Sequence, residues 1–252
     1  MTKAEKPGKI SFIPKPGERA LIVGATGSGK TGFACFVLER LETVPIIIYD
    51  TKEEDKFTAL PGSIVVQSQN ELEEALGNPE VDYIVYRPSL EITVDPDLLD
   101  ELLLEHYHKY RDTVAYIDEV YQFHKGGKCG PGLIGLLTRG RSRGITTIIS
   151  TQRPSYLSRF CITESQKFFI FSLIDKQDKK RIGDVVPEFA DLPDPVKFGF
   201  WFYHVGDEEP KKYQPIKLAP EINRGYVDEQ APVEVAPDLD KVLNPKATMW
   251  IR

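Results

Sequence analysis

Apolar residues in this chain come in short, nearly unbroken runs, each followed by text in which they recur every three or four positions. The runs at 20–23, 45–50, 64–67, 82–87, 114–117, 146–150, 168–171 and 200–205 are rich in Ile, Val, Phe and Tyr. Runs of that length predict strands buried on both faces. Helical periodicity takes over at 30–42, 69–76, 96–110, 131–141 and 176–184. In the first of these, Phe33, Val37 and Leu41 recur every four residues, as suits a helix laid on a sheet. In the third, Leu98, Leu99, Leu102, Leu103 and Leu104 read as a core-facing stripe. Alternating strands and helices predict an α/β fold on a central, mostly parallel sheet flanked by helices.

The pattern fades at both ends. Residues 1–16, with Pro7, Pro14, Pro16 and several lysines, read as an extended arm and a disordered lead-in. From Gly206 onward, Pro210, Pro215, Pro220, Pro232, Pro237 and Pro245 interrupt acidic, polar text, so 206–252 reads as an extended tail. Its last residues, Met249-Trp250-Ile251-Arg252, are apolar enough to dock on a surface. The expected folded domain is 17–205.

Candidate chemistry begins where the first strand meets the first helix. Gly24-Ala25-Thr26-Gly27-Ser28-Gly29-Lys30-Thr31 fits G-x-x-x-x-G-K-[ST], the phosphate-binding P-loop, in the strand–loop–helix context it requires. Curled backbone turns successive N–H groups toward phosphate oxygens, and the helix N-terminus adds partial positive charge. Residues Gly24 through Gly32 are thus expected to hold ATP. Lys30 is expected to reach the β- and γ-phosphates, and the Thr31 hydroxyl to meet Mg2+. The same stretch also fits a dinucleotide fingerprint, Gly27-x-Gly29-x-x-Gly32, with Asp50 near the place of a ribose-binding acid. Against that reading, Gly27 lies four residues past Val23 instead of directly after the strand, and Lys30-Thr31 would have no role.

Val114-Ala115-Tyr116-Ile117-Asp118-Glu119 is an apolar run ending in two acids. After a P-loop this reads as a Walker B strand. Asp118 is expected to hold Mg2+ and Glu119 to activate the attacking water, which implies ATP hydrolysis. The next strand leads into Gln152, whose neutral amide suits contact with both γ-phosphate and water; a polar residue opening a turn before Pro154 fits equally. Arg139, Arg141 and Arg143 stand at alternate positions ahead of that strand. They form either a basic surface patch or an arginine finger offered to a neighbouring subunit's γ-phosphate.

Glu119, the run Gly140-Arg141-x-x-Gly144-Ile145, and Ser150-Thr151-Gln152-Arg153-Pro154 resemble the FtsK–HerA superfamily of DNA-pumping ATPases over about residues 17–184. Within it the chain is most similar to genome-packaging ATPases of tailless, membrane-containing double-stranded DNA viruses. The resemblance implies a RecA-like P-loop NTPase fold of the ASCE type and a homo-oligomeric ring, a hexamer. It also implies ATP-driven threading of double-stranded DNA, with a capsid vertex or membrane protein as docking partner. It makes Arg141 the first candidate finger, with Arg139 and Arg143 as substitutes. Unlike cell-division members, the sequence shows no membrane span and no winged-helix reader of DNA sequence. Two other functions remain open: a conjugation or chromosome-processing motor of the same superfamily, and a non-motor P-loop assembly or secretion factor.

A DNA-contacting element is expected to project into a pore. Residues 121–130 follow Glu119 directly, with Gly126-Gly127 at the centre, Lys125 and Lys128 to meet phosphates, and Tyr121 and Phe123 to pack at the base. A plain exposed loop fits the same text.

Composition narrows this picture only modestly. The chain has 252 residues, 41% hydrophobic and 28% charged, as in soluble globular proteins. The net charge of −6 argues against a module coated in positive charge, but not against a ring with a basic pore. No apolar signal core opens the chain, and the expected location is cytoplasmic, in the host or at a virion packaging vertex. Cys35, Cys129 and Cys161 lie far apart and predict neither a disulfide framework nor a zinc cluster. His106 and His108 read as solvated, and His124 and His204 lack companions at ligand spacing.

Overall fold

A computed structural model describes residues 12–43 and 45–216. Eleven strands are present among them: β1 (Arg19–Val23), β2 (Ile46–Tyr49), β3 (Ser63–Val66), β4 (Tyr83–Tyr86), β5 (Val114–Ile117), β6 (His124–Lys125), β7 (Lys128–Cys129), β8 (Thr146–Thr151), β9 (Lys167–Ile170), β10 (Phe200–His204) and β11 (Lys211–Tyr213). The helices are α1 (Lys30–Leu38), α2 (Asp55–Thr58), α3 (Gln69–Leu76), α4 (Leu90–Thr93), α5 (Pro96–Lys109), α6 (Pro131–Arg139), α7 (Arg159–Thr163) and α8 (Lys176–Gly183). Nine strands form one sheet in the order β11-β10-β9-β1-β8-β5-β2-β4-β3, and β6-β7 is a separate hairpin. From β9 to β3 every pairing is parallel, whereas β10 and β11 add antiparallel at one edge.

The strand order places the chemistry. β8 lies between the P-loop strand β1 and the acid strand β5, so the C-terminal ends of all three meet on one edge of the sheet. All residues of β2, β5, β8 and β9 are buried, because helices cover both faces.

Helix α1 departs from a simple stripe. Every residue from Gly32 to Leu38 is buried, and the helix ends four residues before the predicted stop at 42. It is apolar all round because it is covered on its outer side too. Part of that cover is Phe12, which is fully buried and lies 6.3 Å from the Phe33 ring, 6.1 Å from Phe200 and 5.6 Å from Tyr213. Two segments assigned outside the core by sequence therefore belong to it. Phe12 and Ile13 are buried where an extended lead-in was expected, and β11 carries the sheet past residue 205. Aromatic packing explains both: Phe12 meets Phe200 and Tyr213 edge-on, and Tyr213 lies flat against Phe200 with centroids 5.3 Å apart. The readings of residues 1–11 and of the tail beyond 216 lie outside the described residues.

Helix α5 is capped by Asp95, whose side chain accepts from Asp97 N at 2.9 Å, with Pro96 in the first turn. Only part of its leucine stripe reaches the core: Leu99 and Leu103 are buried, and Leu98 is exposed. His106 continues the buried face, three and seven positions on from Leu103 and Leu99. The solvated reading of His106 is thus corrected. Its ring is fully buried between the Tyr49 hydroxyl (3.0 Å) and Thr113 Oγ1 (2.9 Å), and burial pushes its pKa down to about 3.

Candidate active site

Between β1 and α1 the chain follows the predicted loop. Gly27 and Gly29 take φ of 73° and 106°, the left-handed region open to glycine. A Cβ at Gly24 would lie 2.5 Å from Phe171 Cβ and 2.6 Å from Ser28 Oγ, so only glycine fits. Helix α1 begins with no side-chain cap and no acid in its first turn, leaving its N–H groups for an anion. Lys30 Nζ donates to Ala25 O at 3.1 Å. Burial pushes the Lys30 pKa down to about 8, against the pull of Glu119 and Asp118. Ser28 Oγ and Thr51 Oγ1 are buried without hydrogen-bond partners among the described residues. Orphaned hydroxyls and uncapped amides fit an oxygen-rich ligand such as a nucleotide phosphate with its metal.

Just past the end of β5, Asp118 and Glu119 are both buried. Ser150, on the neighbouring β8, donates its hydroxyl to Asp118 Oδ1 at 2.5 Å. Burial pushes the Asp118 pKa up to about 6; the Ser150 bond opposes this and the charge of Glu119 adds to it. Glu119 stands at φ 45°, ψ 54°, a sparsely populated conformation for a residue with a side chain. Its carboxylate is held from two sides, by Lys52 Nζ at 2.7 Å and by the backbone N–H of Gln152 at 3.1 Å. Burial opposes the charge on Lys52, but Glu119 beside it holds the lysine pKa above its ordinary value. The Gln152 side chain reaches the other way and accepts from Thr26 Oγ1 at 2.5 Å. Thr26, Gln152, Glu119 and Lys52 thus form one contact chain from the P-loop to the acid.

Lys52 and the Ser150 hydroxyl are the participants sequence reasoning missed. Lys52 lies three residues beyond β2, and β2 pairs with β5, so its loop opens beside Glu119. The signal was a polar residue just past a strand, which carries weight only once the strand order is known. Asp50 has a structural role instead of the ribose contact of the rival reading. Its carboxylate takes Arg87 Nε at 3.0 Å and the backbone N–H groups of Lys52 and Glu54.

A cleft of about 590 Å³ adjoins the loop, bordered by Thr26, Gln152, Arg153, Leu173 and Ile174. Arg153 on its rim pairs with Asp178 at 3.1 Å and Asp175 at 3.3 Å. The three candidate finger arginines lie elsewhere, ahead of β8, at the opposite edge of the sheet from the P-loop. Arg139 and Arg141 are exposed, while Arg143 is tied to α5 through His108 O at 2.6 Å.

After Glu119 a single 3-10 turn (Val120–Phe123) buries Phe123 and leads into the β6–β7 hairpin. Gly126 and Gly127 form its two-residue turn, at φ 59° and 76°, so the segment is a tight hairpin instead of an open loop. Lys125 and Lys128 flank the turn and are exposed, with Lys125 paired to Asp97. At the base of the hairpin, two of the cysteines that lie far apart along the chain meet His124. His124 Nε2 lies 3.3 Å from Cys129 Sγ and 3.4 Å from Cys161 Sγ, and the two sulfurs are 3.4 Å apart. Hydrogen bonds from Cys161, His124 and Ser158 lower the pKa of the Cys129 thiol, against burial. Cys35 stands apart, buried within α1.

A glycine loop opening α1, two acids ending β5 and a polar strand end between them define a RecA-like P-loop ATPase with an added strand between its two motifs. No family model matches the chain. The DNA packaging ATPase P9 of Enterobacteria phage PRD1 is 31% identical over 177 residues, 69% of this chain and 73% of the relative. The chain belongs to that family of FtsK–HerA-type viral genome-packaging ATPases. Among solved structures, the genome packaging NTPase B204 of Sulfolobus turreted icosahedral virus 2, in complex with ATP-gammaS, superposes with a TM-score of 0.65. It is 21% identical, over 81% of this chain and 100% of that one. The DNA-packaging ATPase B204 of Sulfolobus turreted icosahedral virus gives 0.61 at 22% identity, over 81% and 100%. At those identities the likeness shows the fold.

Proposed function

We propose that this protein hydrolyses Mg2+-ATP at the junction of the P-loop and Glu119. The cycle drives double-stranded DNA into a preformed viral capsid. The observation that carries this reading is the contact chain Thr26–Gln152–Glu119–Lys52, which joins the phosphate loop to a buried acid. Lys30 turns from Ala25 O toward the β- and γ-phosphates, and the first amides of α1 receive their oxygens. Thr31 and Asp118 are the residues to hold Mg2+, which when bound neutralises charge on the phosphates. Glu119 accepts the proton of the attacking water, and Gln152 orients that water against the γ-phosphate.

The arginine finger acts between subunits. Strand β8 separates the Arg139–Arg143 region from its own Gln152 by six residues, about 20 Å at the usual rise. No arginine there reaches its own nucleotide, but in a ring it faces the neighbour's. Arg141 and Arg139 are the candidates, since Arg143 is engaged with α5. The ring is a hexamer docked at a capsid vertex or on a membrane protein, and it works in the host cytoplasm or at that vertex. Among the described residues no helix is long and apolar enough to cross a membrane. The name of the PRD1 relative supports genome packaging over a conjugation motor or a non-motor secretion factor.

The test is ATP turnover of the purified protein with and without long duplex DNA, with Lys30→Ala as blank. Stimulation by duplex supports a DNA motor, whereas hydrolysis indifferent to DNA favours the non-motor factor. Mixing Arg141→Ala with Lys30→Ala subunits tests the finger. Recovered activity places it in trans, and none at any ratio of confirmed mixed rings excludes that.

A further inference from the structure

Outside the nucleotide site, three side chains remote in sequence converge beneath the hairpin. His124 and Cys129 face each other across β6–β7, and Cys161 comes from α7. We propose that His124 Nε2, Cys129 Sγ and Cys161 Sγ bind a thiophilic divalent cation, zinc in the first instance.

The geometry suits it. The three atoms form a nearly equilateral triangle with edges of 3.3, 3.4 and 3.4 Å. At usual zinc–sulfur and zinc–nitrogen distances, about 2.3 and 2.0 Å, one ion touches all three from about 1 Å above their plane. Two sulfurs and one imidazole select a soft or borderline cation over Mg2+ or Ca2+. His124 is 8% exposed and Cys161 fully buried, while Cys129 is half-buried, so solvent reaches the site from the Cys129 side. That leaves a fourth position for water, as in three-ligand zinc sites. His124 Nδ1 has no hydrogen-bond partner among the described residues, so no outer-shell group supports the ring. The expected affinity is therefore below that of a four-ligand structural site.

The cation would act as a staple. The hairpin extends the strand that ends in Glu119, and α7 extends the strand that ends before Gln152. Two-residue strands joined by a turn are marginal alone. A shared ion would fix the hairpin, with Lys125 and Lys128 at its tip, to the far side of the catalytic edge.

The experiment uses the full chain, reduced and freed of metal by chelator, and titrated first with Co2+ and then Zn2+. The expected result is one equivalent of Co2+ per chain with thiolate-to-cobalt charge-transfer absorption, displaced by one equivalent of Zn2+. Cys129→Ser and Cys161→Ser should each weaken binding at least about 100-fold, since outer-shell partners alone are worth 10–100-fold. Cys35→Ser should change nothing. A fold-independent check is trypsin cleavage after Lys125 and Lys128 in the unaltered protein, which zinc should slow and chelator restore. No charge-transfer band at excess Co2+, or one that survives loss of both cysteines, overturns the proposal. So does conversion of Cys129 and Cys161 to a disulfide with zinc present, read as a fall in titratable thiols, which would make them a redox pair.

Discussion

Replacing Lys52 by Met removes the ammonium 2.7 Å from Glu119 while keeping most of the stem that packs there. The Glu119 side chain is 2% exposed, so the carboxylate left behind cannot turn to water. It keeps one donor named above, the backbone N–H of Gln152. A hydrogen bond to a charged group contributes about 1.5–3 kcal/mol, and 29% exposure of Lys52 argues for the lower half of that range. Lys52→Met should therefore lower unfolding free energy by about 1.5–2 kcal/mol. Glu119→Gln should cost less, about 0.5–1 kcal/mol, because the amide oxygen still accepts and the half-free ammonium can reach solvent. In the double variant neither charge is stranded, so the losses should fall short of their sum by about 1 kcal/mol, beyond the ~0.3–0.5 kcal/mol scatter of independent sites. Urea unfolding followed by circular dichroism measures all three. Turnover at saturating ATP should follow the same logic. Glu119→Gln removes the base and should slow hydrolysis about 10²–10⁴-fold with ATP still bound. Lys52→Met should slow it less, and add little once the base is gone. If the rate losses multiply and the stability losses add, Lys52 and Glu119 do not act as a unit, and Lys52 has no positioning role.

Two further outcomes follow from the packing and the buried histidine. Gly24→Ala puts a methyl 2.5 Å from Phe171 Cβ, so it should cost about 1–3 kcal/mol and weaken ATP binding, checked by thermal unfolding and nucleotide titration. His106 is neutral when folded, with a pKa of about 3, but takes a proton near pH 6.5 when unfolded. The unfolded state thus binds more protons below pH 6.5, so stability falls as pH drops toward 3, by up to about 1.4 kcal/mol per unit. His106→Gln should abolish that increment of the slope; equal slopes between pH 6 and 4 would show that the ring does not titrate on unfolding.

Much of the site was legible because its parts are local. The P-loop needs its glycines, lysine and threonine consecutive, and the acid pair needs only a strand end. Gln152, which touches both Thr26 and Glu119, was picked out for the same reason, as the residue that follows an apolar run. Lys52 was not, because nothing within its own segment distinguishes it from any lysine after a strand. Its role appears only when β2 is seen to pair with β5. Cys129, Cys161 and His124 were separated for the same reason. Spacing along the chain says nothing about a hairpin folding onto a helix more than thirty residues later. His106 was misread because two histidines two apart were weighed as a pair, whereas a third layer of packing decided the fate of one.

Sequence by itself determined the fold class, the order of its elements and the phosphate chemistry. Buried parallel strands demand continuous apolar runs, and a phosphate cradle demands a particular run of backbone. Tertiary structure alone decided which loops share the catalytic edge. It put β8 between β1 and β5, drew Phe12 and Tyr213 into the core, and set Arg139, Arg141 and Arg143 at the opposite end of β8 from the P-loop. Those outcomes depend on the order of strands in the sheet and on side chains meeting across it. Both are settled by the packing of the whole chain and carry no mark within any one segment.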